Sequence, residues 1–298
     1  VADRFETIAT AITASYMNIP VAHTQGGEVT GSIDESVRHA VTKLSHIHFP
    51  ATCQAAENLI RMGEDPATVH MTGCPSIDAI DNIDLSLPDG IFDSDKGVGG
   101  EIDAAKPYLV VLQHPVTTEY GQGFMQIYET LSAIERVGMQ TIWLWPNVDA
   151  GSDDISKGLR NFRELRQPDY IHFYRNFSVE DYASVIKNCA CLVGNSSSAL
   201  REGSFLGVPA VNIGTRQKGR ERAENVIDVS YDKYEIEKAI RKQISNGRYP
   251  KSTRFGDGKA GELISNILAE AKFEIQKTLF YTMEQEDSYN LPWRVGGV

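Results

Sequence analysis

Three observations in the 298-residue sequence predict an α/β protein of two doubly wound, Rossmann-like domains. Short continuous apolar runs alternate with amphipathic segments, the pattern of a parallel sheet buried on both faces. The alternation falls into two blocks. Between them lies Asp81–Lys106, rich in Asp, Gly and Pro and without a clear period, which reads as a linker.

In the first block, Pro20–His23, His48–Ala51 and Val69–Thr72 are predicted strands, and Ile33–Leu44 and Gln54–Met62 predicted helices. The second block opens with strand Tyr108–Gln113, helix Phe124–Val137, strand Thr141–Trp145 and helix Asp154–Arg166. Strand Tyr170–Phe173, helix Val179–Lys187 and strand Ala190–Val193 follow. Helix Ala199–Leu206, strands Pro209–Ile213 and Val226–Val229, and helix Lys233–Ser245 complete it. A last helix, Gly261–Phe280, is long enough to cross between domains. The expected division is 1–80 for the first domain, 81–106 for the linker, 107–260 for the nucleotide-binding domain and 261–298 for the crossover helix and tail. Val1–Glu6 reads as a strand end entering a helix, and the first block holds about half the βα units of the second. The first domain is therefore expected to be incomplete, short of roughly 100 residues at about 30 per unit.

Composition narrows the class. Hydrophobic residues at 41% and charged residues at 23% suit a globular protein with an ample core. No apolar run approaches the ~20 residues of a membrane span, and the first residues read as a periodic segment rather than a secretory leader. Cys53, Cys74, Cys189 and Cys191 do not form a disulfide framework. Cys189 and Cys191, two apart, are expected to face one side of a strand within the core. The expected location is the reducing cytoplasm. A net charge of −11 argues against nucleic acid or an anionic membrane as partner, while a local arginine cluster leaves room for a small anion.

The most informative run is Gly194-Asn195-Ser196-Ser197-Ser198, at the carboxyl end of a strand and before a helix. Unpaired N–H groups and hydroxyls there form an anion site, or the serines simply cap the helix. Glu202, one turn in, is placed to accept from a ribose hydroxyl, and Arg216, on the next loop, to clamp a phosphate. In the first block, Gly26 and Gly27 turn the chain off a strand, and Ser32 with Glu35 spells a capping box. Asp34 is either a first-turn carboxylate favoured by the helix dipole or, with Asp3, half of an acid–base pair facing one cleft. His114, Asn147 and Asp149 all follow predicted strands, where a ligand crevice forms. A structural histidine and a capped turn are the alternatives. His46 and His48 have metal-like spacing without a third ligand. Neither GxGxxG nor GxxxxGK[ST] is present.

The segments DRFE at Asp3–Glu6, GGEVTGSIDESVRHAVTKLSH at Gly26–His46 and GCPSID at Gly73–Asp78 carry a resemblance. So do QHPVTT at Gln113–Thr118, PNVDAGS at Pro146–Ser152, GNSSSALRE at Gly194–Glu202 and NIGTRQKGRE at Asn212–Glu221. Together they resemble the hydrolysing UDP-N-acetylglucosamine 2-epimerases, in order and at family spacing. The resemblance implies a GT-B-like pair of domains. It implies elimination of UDP from UDP-N-acetylglucosamine to a glycal, then addition of water with inversion at C2, giving N-acetylmannosamine without metal or nicotinamide cofactor. It places Asp3 and Asp34 as catalytic carboxylates. It places His114, Asn147, Ser196, Ser197, Glu202 and Arg216 on the nucleotide and phosphates, with Gly194 at the turn and Arg4 beside Asp3. A homodimer or homotetramer is implied as well.

Gln25 departs from the resemblance, since better-known members carry a third catalytic glutamate there. An amide does not exchange a proton at neutral pH. Three readings stay open: Gln25 orients sugar or water, Glu28 takes the missing role, or the protein binds with little turnover. The substitution also leaves room for UDP-linked 2,4-diacetamido-trideoxy sugars on the legionaminic acid route. A non-hydrolysing epimerase, a GT-B glycosyltransferase and a nucleotide-sugar-binding protein are the other classes compatible with these motifs.

Overall fold

The computed structural model describes residues 6–93 and 96–280. The first half comprises α1 (Thr7–Tyr16), β1 (Ala22–Thr24), α2 (Asp34–Leu44), β2 (Ile47–Phe49), α3 (Cys53–Arg61) and α4 (Pro75–Asp81). Strands β1 and β2 pair in parallel, and the third expected strand, Val69–Thr72, is reduced to one bridge from Val69 to His48.

The second half carries β3 (Gly97–Gly99), β4 (Leu109–Leu112), α5 (Gly123–Val137), β5 (Thr141–Leu144), α6 (Ser152–Arg166) and β6 (Ile171–Tyr174). It continues with α7 (Val179–Asn188), β7 (Cys191–Gly194), α8 (Glu202–Phe205), β8 (Ala210–Ile213), β9 (Val226–Val229) and α9 (Lys233–Asn246). The sheet order is β3-β6-β5-β4-β7-β8-β9, all parallel except β3. Chain order runs outward from β4 in one direction and from β7 in the other. The topological switch point, where doubly wound sheets open a ligand crevice, is therefore the β4–β7 seam.

Side chains alternate across this sheet. Leu109, Val111, Trp143, Phe173, Cys191 and Val193 pack under α5, α6 and α9. Val110, Ile142, Leu192 and Ala210 point the other way, onto Ile77 and Ile80 of α4 and Val185 and Ile186 of α7. The strands are apolar on both faces because both faces are covered. Cys189 and Cys191 accordingly separate into the two cores. Cys189 caps α7 rather than lying on a strand, which corrects the expectation that they share a side. The stretch expected to be a structureless linker supplies edge strand β3 and buries Ile91, Phe92 and Ile102 in the α4 core.

The C-terminal helix is shorter than the periodicity predicts. α10 spans Ala260–Glu270, and its first N–H groups donate to the Asp78 carboxylate. Residues 271–280 leave the helix and lie against the first half. There Lys277 donates to the carbonyls of Thr42 and Ser45 and pairs with Glu64, and Phe280 N–H donates to Gly63. Glu64, buried, also pairs with Lys43 and accepts from His48.

Burial acts to raise the Glu64 carboxyl, but bonds from His48, Lys277 and Lys43 outweigh it and hold the group at about 2, against an ordinary 4.5. A depressed carboxylate contributes stability above its unfolded value and loses it as pH falls through the native one. Glu64 should therefore give up on the order of 3 kcal/mol between pH 4.5 and 2. Burial also lowers buried His48 below 6.5, which weakens the fold as pH drops below that value. In calorimetric scans at a series of pH values, Tm should fall on this acid limb, and Glu64→Gln should flatten it. An unchanged limb in the variant would assign acid lability elsewhere.

Candidate active site in the cleft between the two halves

Loops after β4, β5 and β7 meet at the switch point. Asn195 joins the first to the last: its Oδ1 accepts from His114 N–H at 2.7 Å and its Nδ2 donates to His114 O at 2.9 Å. Asn147 N–H donates to His114 Nδ1 at 3.1 Å. That bond makes Nδ1 the acceptor, so the neutral ring carries its proton on Nε2. His114, Asn147 and Ser196 line a cavity of about 920 Å³ with Arg160, Arg175 and Tyr182.

The serine turn is a 3-10 turn, Ser197–Ala199, followed by the four-residue α8, rather than one helix over Ala199–Leu206. So short a helix weakens the dipole argument, and the anion-binding character rests on hydroxyls and arginines instead. Ser196 Oγ accepts from Ser198 N–H, and Ser198 Oγ lies 2.7 Å from Tyr182 OH. Gly194 starts the turn, and no Cβ fits there: it would stand 2.1 Å from Leu112 O.

A second, smaller cavity, about 160 Å³, adjoins at Asn147. Asp34, Ser32, Thr30 and Arg38 form its wall from the first half, and Ser197, Arg201, Arg216 and Arg220 face them from the second. Asp34 opens α2 and accepts from Ser32 Oγ at 3.1 Å. The expected capping box is replaced: Ser32 turns to Asp34, and Glu35 reaches back to Thr30 N–H. Arg38, four residues on from Asp34 and fully buried, shares its helix face and donates to Glu28 O. The halves touch at Gly31, whose N–H donates to Arg216 O. A Cβ on Gly31 would meet Thr215 O at 2.0 Å.

Asp34, Asn147, Ser196, Ser197, His114 and Arg216 are thus brought to one continuous cleft. Glu202 follows the serine turn as the first residue of α8, with Oε2 buried and unpartnered. Asp149 lines neither cavity; its carbonyl accepts from Ser152 N–H at the turn into α6. Gln25, with φ 62°, donates from Nε2 to Cys74 Sγ. Burial raises the Cys74 thiol, so this partner is a neutral one. Asp3 and Arg4 lie outside the described residues. Sequence reasoning does not single out Arg201 and Arg220, although they sit inside GNSSSALRE and NIGTRQKGRE. The signal for Arg38 is its four-residue spacing from Asp34. Among the described residues no three His, Cys, Asp or Glu could hold a metal ion, and no helix is long and apolar enough to cross a membrane.

Two α/β layers facing one another across an arginine-lined cleft, with the crevice at a switch point, define a GT-B-like fold. The family model described as UDP-N-acetylglucosamine 2-epimerase matches residues 1–269, and the chain belongs to that family. It is 35% identical over 266 residues to a hydrolysing UDP-N,N'-diacetylbacillosamine 2-epimerase of Legionella pneumophila, covering 89% of this chain and 68% of the relative. It is 31% identical over 256 residues to a UDP-N-acetylglucosamine 2-epimerase of Neisseria meningitidis, covering 86% and 65%. The chain thus spans about two thirds of these relatives' lengths. The crystal structure of the Methanocaldococcus jannaschii UDP-GlcNAc 2-epimerase in complex with UDP-GlcNAc and UDP superposes with a TM-score of 0.74 at 21% identity. It covers 91% of this chain and 74% of that one.

Proposed function

We propose that the protein is a hydrolysing 2-epimerase that converts UDP-N-acetylglucosamine and water to N-acetylmannosamine and UDP. The observation that carries this reading is the small cavity, where the Asp34 carboxylate on one wall faces Ser197, Arg201 and Arg216 on the other. A base that removes the C2 proton and a cationic wall that receives the leaving diphosphate are what an elimination of UDP needs.

In this scheme a carboxylate takes the proton from C2. The electron pair forms the C1–C2 double bond of a glycal, and the C1–O bond breaks onto the diphosphate. Arg216, the hydroxyls of Ser196 and Ser197 and the His114 Nε2–H stabilise the departing charge. Water then adds at C1, giving up one proton to solvent, and a second carboxyl group, protonated at this stage, delivers its proton to the opposite face of C2. Asp34 is assigned one of these transfers and, by family resemblance, Asp3 the other. The larger cavity, with Arg175 and Tyr182, is assigned to the nucleoside. Activity in the cytoplasm as a homo-oligomer completes the proposal.

The higher identity to the Legionella relative supports a second reading, the same chemistry on a UDP-linked diacetamido sugar. A proton NMR time course in D₂O, with each UDP-sugar in turn, tests both. Growth of UDP with free N-acetylmannosamine deuterated at C2 is the expected result. Turnover of the diacetamido sugar alone selects the second reading. Accumulation of UDP-linked mannosamine would sink hydrolysis, and UDP binding without turnover of either sugar would leave a binding protein.

A further inference from the structure

Glu28 is the carboxylate that most needs an explanation. It is 5% exposed and sits in the loop between β1 and α2, yet its partners come from the other half of the chain. Its Oε2 accepts from Arg201 Nη2 at 2.6 Å and from Arg220 Nε at 2.8 Å and Nη2 at 2.5 Å, while its backbone carbonyl takes Arg38 Nη1 at 2.7 Å. Arg220 is steadied further by Gln217 Oε1, and Gln217 Nε2 in turn donates to Asn195 O at the serine turn. All three arginines line the Asp34 cavity, and Glu28 itself does not. A buried carboxylate shared by several guanidinium N–H groups is a rigid node: its bonds are charge-assisted, and removing the charge strands its partners.

We infer that Glu28 is a positioning residue that latches the Gly26–Gly31 loop to Arg201 and Arg220, so that closing the cleft and setting the cationic wall opposite Asp34 are one event. The neighbouring contacts fit such a latch. Gly31 N–H reaches Arg216 O, Thr52 Oγ1 reaches Glu221, and Gly31 has no space for a side chain at this seam. Burial works to raise the Glu28 carboxyl, and the charges of Arg201 and Arg220 overcome it and hold the group below its ordinary value. Held ionised by two guanidiniums and set outside the cavity lining, Glu28 is placed to hold Arg201 and Arg220 rather than to deliver a proton to a sugar.

The inference rests on the proposed epimerase reaction for its kinetic readout and on scattering for a readout independent of it. In the full chain, Glu28→Gln should lower kcat by about 10–100-fold, the effect of a misplaced but present catalytic apparatus. Both limbs of the pH–rate profile should remain. Glu28→Asp, which restores charge at shorter reach, should recover part of the loss. With UDP bound, Glu28→Gln should show a larger radius of gyration than wild type in X-ray scattering. Arg220→Lys, which keeps the charge and loses the two-pronged contact, tests the same node should the glutamine variant fail to fold, and its kcat should fall with both limbs intact. Loss of one pH limb in Glu28→Gln would make Glu28 a proton carrier and overturn the inference. So would unchanged kcat together with unchanged scattering in either variant. Should wild type turn over no UDP-sugar, the functional reading fails, and the scattering difference alone decides the latch.

Discussion

Asp34→Asn should lower kcat by about 10²–10⁴-fold, the usual contribution of a positioned acid or base, while UDP affinity stays within about twofold. The substitution is nearly isosteric. The amide oxygen still accepts from Ser32 Oγ, as the carboxylate does at 3.1 Å. The first turn of α2 keeps Glu35, so the helix retains a carboxylate at its positive end. What disappears is the ability to exchange a proton, because an amide neither takes nor gives one at neutral pH. The cationic wall of Arg201, Arg216 and Arg220 and the switch-point cavity around His114 and Asn147 remain in place, so nucleotide binding should survive. Single-turnover UDP release and calorimetric UDP titration separate the two quantities. A kcat within about threefold of wild type would remove Asp34 from the reaction. A matching loss of UDP affinity would make it a binding residue, leaving the elimination without its base on this wall.

Much of this site is legible in the sequence because the switch point is written locally. The β4 and β7 strands are continuous apolar runs, and the polar residues that end them, His114 and Asn195 to Ser197, must then emerge at the crevice. The arginines that complete the cationic wall are not legible as a group. Arg38 lies far along the chain from Arg201 and Arg220, and only the fold brings the three round one glutamate. The partners of Glu28 are illegible for the same reason: sequence shows neighbours along the chain, and Arg201 and Arg220 lie 173 and 192 residues away. The last helix is overestimated from sequence because Ile275 and Leu279 continue an apolar spacing. In the structure the chain leaves the helix after Glu270, and the Lys277 side chain and the Phe280 N–H bond to the first half instead. Asp149 is a case where the structure favours the simpler of two readings, a turn into a helix. Its place after β5 matches the crevice rule, but the chain turns at once into α6 and uses its carbonyl for that turn.

Gly194→Ala should cost more than about 3 kcal/mol, a size reached only through a definite structural fault. The fault here has two parts. Gly194 has φ 128°, a region side chains rarely adopt, and an added Cβ would stand 2.1 Å from Leu112 O. Leu112 is its register partner across the β4–β7 seam, and the same carbonyl accepts from Asn195 N–H at 3.1 Å. A methyl group there must push the two strands apart where Asn195 ties His114 into the crevice, so stability and the site should fail together. Gly121→Ala provides the comparison. Gly121 has φ 83°, but an added Cβ would meet nothing within 4 Å, so the change should cost only the left-handed backbone penalty, about 1 kcal/mol. At about 2–4 °C per kcal/mol, Gly194→Ala should lower Tm by at least about 6 °C and Gly121→Ala by far less. Equal shifts would mean that backbone conformation alone sets the cost and that the seam tolerates the added volume. A larger shift at Gly194, with UDP affinity reduced alongside it, would tie the integrity of the serine turn to the close approach of the two strands at this glycine.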